Sequence, residues 1–253
     1  MGDQTVTAAV AALDRRWRAP LTIAVTGHHG TGRDTVAAAL TARFGVRALD
    51  TQAPPEDRAD ADLAVHVLGA GVRDCDREFL AAQRRPVIVL SGKADLRGGP
   101  ERAARLAAGA AADLQCPVYS VSGLLAAATV DDALHAALRG WAGAGIEVPV
   151  LAAAFADGVE PDERRRRSLA LATVGAAGLR AALRLHAAHP ELPAAALTAR
   201  LRALSGLAAL VEPIRACGTA VAADRRTRRR RRGLTVLAAR GPGRDQLEAR
   251  WIR

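Results

Sequence analysis

Residues 21–44 read LTIAVTGHHGTGRDTVAAALTARF. The apolar run at 21–25 predicts a strand, the glycines within 27–32 predict a tight loop, and residues 36–44 predict a helix. This order is typical of a phosphate-binding loop, because backbone N–H groups converge on an anion at a helix N-terminus. The predicted phosphate-binding residues are Gly27, His28, His29, Gly30, Thr31, Gly32, Arg33, Asp34 and Thr35.

Two side chains depart from the usual loop, in which Lys and then Ser or Thr follow the last glycine. Arg33 keeps the positive charge of lysine but is bulkier and planar. Asp34 places a carboxylate beside the expected phosphates, and two like charges about 4 Å apart repel by about 4 kcal/mol at an effective dielectric constant of roughly 20. We therefore expect nucleotide affinity to suffer unless magnesium lies between them, which makes Asp34 a predicted metal ligand.

The rest of the first half alternates strand and helix patterns. Strands are predicted at 46–51, 61–68, 86–90 and 117–121, and helices at 74–84, 101–114 and 130–141. This alternation predicts an α/β fold with a doubly wound, mostly parallel sheet. In such a sheet ligands bind at the carboxyl ends of the strands.

The second half is predicted to be an all-helical appendage. Helical periodicity covers 162–186, 192–204 and 214–232, with short strand candidates only near Val148 and at 234–237. An amphipathic helix is also predicted at 5–18. The predicted organisation is an N-terminal helix in 1–19, a nucleotide-binding domain in 20–142 and a helical region in 143–253.

The composition is basic, with 36 Lys and Arg against 26 Asp and Glu and a formal net charge of +10. Lys93 is the only lysine, which indicates a position where a compact ammonium on a long aliphatic stem is needed and arginine would not serve. Cys75, Cys116 and Cys217 form no Cys-x-x-Cys pair, which argues against a disulfide scaffold or a zinc site and fits a reducing compartment. Since no signal peptide is evident, we expect a cytoplasmic location, with peripheral membrane contact as an alternative.

An arginine run near the C-terminus predicts a polybasic contact surface. We expect it near the C-terminal end of a helix, where cations are favoured, and facing anionic lipid, a protein partner or nucleic acid. Aromatic residues make up 3% of the chain and none lies in the run, so a nucleic-acid contact would be to the backbone alone. The run consists of Arg225, Arg226, Arg228, Arg229, Arg230, Arg231 and Arg232.

Four stretches together resemble the nucleotide-binding elements of P-loop GTPases of the translation-factor class, of the Era and dynamin-like kind. The first is GHHGTGRDT at 27–35. The second, LDTQA at 49–53, is similar to the family's Asp-Thr-Pro-Gly, and the third, SGKADL at 91–96, is similar to its Asn-Lys-x-Asp. The fourth, SVSG at 120–123, resembles the loop that closes over guanine. The resemblance covers residues 20–140 and not the helical region.

This resemblance implies a site for GTP or GDP with Mg²⁺. It implies that Asp50 orders the magnesium shell, that the Lys93 stem lies across the base, and that Ser120 and Ser122 belong to the guanine loop. It also implies that Asp95 accepts hydrogen bonds from two guanine donors. Adenine does not offer those two donors, so Asp95 would select the base.

Three departures from the family predict weak or absent hydrolysis. Gly92 stands where the family has Asn or Thr, and Ala53 where it has Gly. About fourteen residues separate Thr35 from Asp50, which leaves little room for a switch segment that orders around a terminal phosphate. We assign no catalytic residue.

The leading prediction is a GTPase-like protein that binds guanine nucleotide and couples its state to a partner or membrane surface. Two alternatives stay open. The segment GRDTVA at 32–37 is similar to GKDTVA of some nucleoside-monophosphate kinases, in which the aspartate belongs to the motif. A nucleotide-free pseudo-GTPase scaffold is the other alternative.

Overall fold

The computed structural model describes residues 8–15, 20–218 and 222–240. Its centre is one five-stranded sheet in which all paired strands run parallel, in the order β2-β1-β3-β4-β5. The strands are β1 (Thr22–Gly27), β2 (Arg47–Leu49), β3 (Leu63–Leu68), β4 (Val87–Ser91) and β5 (Val118–Ser120). The predicted α/β class with a parallel sheet is therefore confirmed.

Helices connect the strands and form the described chain after β5. The first, α1, covers residues 8–15. Those between strands are α2 (Arg33–Phe44), α3 (Pro55–Ala59), α4 (Asp74–Ala82) and α5 (Pro100–Leu114). Those after the sheet are α6 (Gly123–Ala127), α7 (Asp132–Gly143), α8 (Pro161–Ala188), α9 (Ala194–Ala203), α10 (Val211–Ala216) and α11 (Ala222–Arg240).

The strand order creates a crevice between the carboxyl ends of β1 and β3. The chain leaves β1 to form β2 on one side, whereas β3 lies on the other side, with Ile23 paired to both Ala48 and Leu63. Open α/β sheets bind ligands at the point where the strand order reverses in this way. The loops at 28–32 and 69–73 border this crevice.

Both faces of the sheet are covered. Every residue of β3 is buried, as expected for a parallel strand between two helical layers. On one face Val25 and Val65 pack with Val36 and Leu40 of α2. Side chains alternate along a strand, so Thr26 and His66 lie on the opposite face.

The helical region has a core of its own and also returns to the sheet. Leu138 of α7, Leu179 of α8 and Leu197 of α9 belong to one buried cluster. Farther along the chain, Leu210 and Ile214 join the sheet core. The boundary at 142/143 stays a prediction, since helices from both sides of it share one apolar cluster.

The longest helix, α8, is broken at Gly175, which has φ 66° and ψ 174°. By length and composition α8 is one helix that could cross a membrane, and α9 with α10 forms a bent pair that passes the same test. This is weak support for a membrane span, because α8 supplies buried residues to the core shared with α7 and α9. About a third of its apolar window, 33%, is buried.

Three local expectations are wrong. Residues 234–237 lie inside α11 and form no strand, because Leu234 and Leu237 pack together on α1 at helical spacing. Residues around Val148 form no strand within the described chain. The arginine run lies in the first half of α11, which continues to Arg240, and not near a helix C-terminus.

Candidate functional site

The loop between β1 and α2 has a backbone that only glycine adopts easily at three positions. Gly27, Gly30 and Gly32 have φ of 131°, 78° and 88°. A Cβ on Gly27 would also collide with the carbonyl oxygen of Val67 on the neighbouring strand. The glycine spacing noted in the sequence therefore has a steric cause in the crevice between β1 and β3.

The N-terminus of α2 is open to an anion. Gly32 is the N-cap, so no side chain caps the helix. The first amides of a helix have no partners within it and carry a partial positive charge. Thr31, which is buried, does not supply a cap, because its hydroxyl donates to the His28 carbonyl oxygen at 2.9 Å. His29 is exposed at the tip of the loop.

Arg33 closes the loop on itself. Its Nη1 donates to the carbonyl oxygen of Gly27 at 2.9 Å, which joins the start of α2 to the end of β1. The side chain is partly buried. This contact uses one of the five N–H donors of the guanidinium.

Asp34 and Asp50 lie on adjacent segments at the carboxyl edge of the sheet. Asp34 Oδ1 accepts a hydrogen bond from the Thr51 hydroxyl at 3.2 Å. Asp50 Oδ1 accepts from the backbone N–H of Gln52 at 2.9 Å. Each carboxylate keeps oxygen lone pairs for a further ligand, and Thr35 follows Asp34 in the same helical turn.

Lys93 lies against the glycine loop. It follows β4 with a left-handed backbone, φ 55°, and is exposed. Its Cε and Cγ would be 3.8 and 3.9 Å from a Cβ on Gly32. Because β4 and β1 are separated by β3 in the sheet, the lysine reaches over the end of the intervening strand.

Asp95 lies in a short 3₁₀ segment, Ala94–Leu96, beside the break in α8. Its Oδ2 would be 3.7 Å from a Cβ on Gly175, and Leu124 of α6 would be 3.0 Å from the same Cβ. The helical region thus contacts the segment whose aspartate was predicted to select the base. The sequence pattern gave no sign of this contact.

Ser120 and Ser122 are covered by a loop of the helical region. The N–H of Ser122 donates to the Ser205 carbonyl oxygen at 2.8 Å, and Ser122 Oγ accepts from the N–H of Leu125 as the cap of α6. Gly206 lies so close to the Ser120 carbonyl oxygen that a Cβ there would collide with it. Ser122 is fully buried, whereas Lys93 is exposed, and the two segments meet where the Ala94 N–H donates to the Val121 carbonyl oxygen at 3.2 Å.

A polar network that the sequence did not predict lies in the crevice. His66 of β3 contacts the Thr26 hydroxyl through Nδ1 at 3.0 Å and Asp76 Oδ1 through Nε2 at 2.8 Å. Burial lowers the pKa of His66, so we assign a neutral ring that donates from Nε2 and accepts at Nδ1. Phe79 stacks on this ring, with centroids 4.5 Å apart. The network holds the buried Asp76 carboxylate in place.

A second contact lies directly above this network. His28 Nε2 is 2.8 Å from Cys75 Sγ, and both side chains are exposed. A cavity of about 270 Å³ joins the two contacts and reaches Gly27 and Arg33. His28 was predicted as a phosphate-binding loop residue and Cys75 was given no role, because their nearness to each other depends on the pairing of β1 with β3.

A larger cavity, about 680 Å³, lies at the opposite edge of the sheet, away from the glycine loop. It is lined by residues of α1, α11 and the start of β1. Asp62, which is 2% exposed, binds Arg226 at 2.7 Å and Arg229 at 3.3 Å in this region. Arg230 pairs with Asp14 of α1 at 2.8 Å.

Some arginines of the run form these ion pairs, and others are exposed to solvent. Arg226, Arg229 and Arg230 hold α11 on the body of the protein, and Arg228 pairs with Asp224 one turn earlier at 2.9 Å. Arg231 and Arg232 are exposed. The run is therefore partly a structural clamp.

No protein-family model matches the chain, and no curated protein matches it in sequence. The functional assignment therefore depends on the residues and their geometry.

Proposed function

We propose that the chain binds a guanine nucleotide along the carboxyl edge of the sheet, with its phosphates at the loop after β1 and its base near Lys93 and Asp95. The observation that carries this proposal is the contact between Lys93 and Gly32. The only lysine of the chain lies where one ligand would touch both the glycine loop and the segment after β4. The resemblance to P-loop GTPases supports the same arrangement.

The phosphate end uses the uncapped N-terminus of α2. Its free amides and the left-handed glycines form a concave anion site, which needs no side-chain charge to hold a phosphate. Arg33 begins α2 beside this site, and its guanidinium would donate to phosphate through N–H groups other than the one bound to Gly27.

Asp34 and Asp50 are the residues that would hold Mg²⁺ in this proposal. Asp34 and Asp50 offer the oxygen ligands that Mg²⁺ prefers, and magnesium usually combines one or two carboxylates with phosphate oxygens. When bound, the ion would neutralise phosphate charge. Asp34 would then stabilise the complex instead of repelling it.

The base end couples the nucleotide to the helical region. A guanine bound to Asp95 would lie beside the Gly175 break in α8, so base binding and the position of α8 would affect each other. Slow or absent hydrolysis follows from the short connection between α2 and β2, which is only Gly45 and Val46. That connection holds no segment able to fold over a terminal phosphate.

Thermal unfolding of the full chain with GTP, GDP, ATP or ADP, each with Mg²⁺, tests this function. We expect guanine nucleotides to raise the midpoint more than adenine nucleotides, because a ligand that binds only the folded state stabilises it. Asp95→Asn should remove the preference, and Asp113→Asn, an exposed aspartate on α5, should keep it.

The other outcomes separate the alternatives. A preference for adenine nucleotides, with phosphate transfer to a monophosphate in a coupled assay, would support the kinase alternative. The absence of any shift with all four nucleotides would leave the scaffold alternative.

A further inference from the structure

Three metal-ligating side chains meet at the crevice between β1 and β3. His28 comes from the loop after β1, and Cys75 and Asp76 come from the first turn of α4. One ligand atom from each lies within 4.8 Å of the other two. His28 is distant in sequence from the adjacent Cys75 and Asp76, and the reversal of strand order brings them together.

The set of donors favours a particular kind of ion. An imidazole nitrogen, a thiolate sulfur and a carboxylate oxygen are ligands that zinc accepts together, whereas Mg²⁺ and Ca²⁺ avoid sulfur. Zinc bonds of about 2.0–2.3 Å in a tetrahedron place ligand atoms roughly 3.5 Å apart. The His28–Cys75 contact at 2.8 Å is shorter than this and the three atoms lie within 4.8 Å of one another, so zinc binding would require the exposed His28 and Cys75 side chains to rotate.

The carboxylate of this group is already held in position. Asp76 is 2% exposed, and it accepts hydrogen bonds from His66 Nε2 at 2.8 Å and from the Arg73 N–H at 2.9 Å. His66 is fixed in turn by Thr26 and Phe79. Partners that orient a metal-binding carboxylate in this way raise metal affinity.

The two other ligands are accessible. His28 and Cys75 are exposed, so an ion enters from solvent without opening the core. The His28–Cys75 hydrogen bond holds a proton that an ion would displace.

We propose that His28, Cys75 and Asp76 form a Zn²⁺ site with one open coordination position. Three protein ligands leave a fourth place for water or an anion, as in catalytic zinc sites. The neighbouring cavity of about 270 Å³ extends from Cys75 to Gly27 and Arg33, so that fourth ligand lies beside the phosphate-binding loop. On binding, the Cys75 S–H bond breaks, the S–Zn bond forms and one proton leaves to solvent. The proposal does not depend on nucleotide binding, and it reverses the sequence expectation that the cysteines make no zinc site.

Titration of the metal-free full chain with Co²⁺ and then Zn²⁺, without nucleotide, tests the proposal. We expect one ion per chain, a cobalt–thiolate charge-transfer band, and displacement of cobalt by zinc with loss of that band. Cys75→Ser and His28→Ala should remove the band, and since both side chains are exposed, unfolding midpoints should stay near wild type. His66→Gln should weaken zinc binding by about 10- to 100-fold through loss of carboxylate positioning.

The two other cysteines provide matched controls. Burial raises the pKa of the Cys116 and Cys217 thiols, and neither residue belongs to this group of ligands. Cys116→Ser and Cys217→Ser should therefore leave the cobalt spectrum unchanged. Binding without a thiolate band, equal zinc affinity in Cys75→Ser and wild type, or no binding at all would overturn the proposal. None of these outcomes bears on guanine nucleotide binding.

Discussion

Lys93 packs against Gly32, with its Cε 3.8 Å from the place that a Cβ of residue 32 would occupy. This contact joins the segment after β4 to the loop after β1, although β3 lies between the two strands. Both residues have left-handed backbones, Lys93 with φ 55° and Gly32 with φ 88°. Lys93 is the only lysine among the 36 basic residues, and its aliphatic stem lies in van der Waals range of the glycine-loop backbone.

Two substitutions of Lys93 distinguish the contribution of its aliphatic stem from that of its charge. Lys93→Met keeps most of the stem, and Lys93→Ala removes both stem and charge. We expect both variants to bind GDP more weakly, with the alanine variant weaker than the methionine variant, because the stem would cover the base. Calorimetric GDP titrations measure the difference. Equal affinity in the wild type and both variants would exclude a ligand contact at Lys93.

Gly92 explains why the segment after β4 departs from the GTPase pattern. A Cβ at this position would lie 2.7 Å from Val67 Cγ1 and 2.9 Å from the Thr31 carbonyl oxygen. We expect Gly92→Ala to lower the free energy of unfolding by about 1–3 kcal/mol through overpacking. Gly71→Ala, where a Cβ meets nothing within 4 Å, should stay within about 0.5 kcal/mol of wild type. Urea unfolding compares them, and equal stabilities would contradict the close approach.

Asp62 anchors α11. It is 2% exposed, accepts the Thr22 N–H at 3.0 Å and pairs with Arg226 and Arg229. Removal of one member of a buried ion pair leaves uncompensated charge, so Asp62→Ala should cost about 3–5 kcal/mol of unfolding free energy.

The matched control for Asp62 is Asp14→Ala. Asp14 pairs with Arg230 of the same helix, and this pair is more exposed than those of Asp62. Removal of Asp14 should therefore lower the free energy of unfolding by less than about 1 kcal/mol. Urea unfolding measures both changes. Similar losses in the two variants would show that Asp62 is not the main anchor.

His186 makes stability depend on pH. It is 2% exposed, and neither ring nitrogen has a hydrogen-bond partner among the described residues. Burial is the largest cause that lowers its pKa, followed by the charges of His135 and Arg139. The unfolded chain therefore binds a proton more readily, so stability is present above about pH 6.5 and declines as the pH falls below it.

We expect His186→Leu to raise the unfolding free energy at pH 7 by about 1–3 kcal/mol, because a buried unsatisfied group is removed. It should also flatten the decline between about pH 7 and 5. Part of the slope should remain, since burial lowers the pKa of His66 as well. Chemical unfolding across this range, with exposed His189→Leu as control, checks both effects. A profile parallel to wild type would rule out the neutral buried ring.

Local patterns predicted the sheet and the glycine loop. The apolar runs at 61–68 and 86–90 predicted β3 and β4 with ends that lie within two residues of the observed ones. A buried parallel strand is apolar throughout, so its sequence signal is strong. The small helices α3 and α6 were not predicted, because five residues carry too little periodicity.

Contacts that depend on strand order could not be predicted in the same way. His28, Cys75 and Asp76 meet only because β1 pairs with β3. Asp95 meets Gly175 only because α8 returns to the sheet edge. Neither contact has a local signal, because each joins residues that are distant in sequence. The ion pairs of the arginine run were not predicted for a related reason, since the partners Asp62 and Asp14 lie in the first third of the chain.

Calorimetric titration of the full chain with GDP and with ADP, each with Mg²⁺, tests the central claim most directly. We predict one GDP per chain and binding of ADP at least about 10-fold weaker, because adenine lacks the two donors that Asp95 would accept. Asp95→Asn should bring the two affinities together. Equal binding of GDP and ADP by the wild type, or no heat with either nucleotide, would contradict the guanine-nucleotide site.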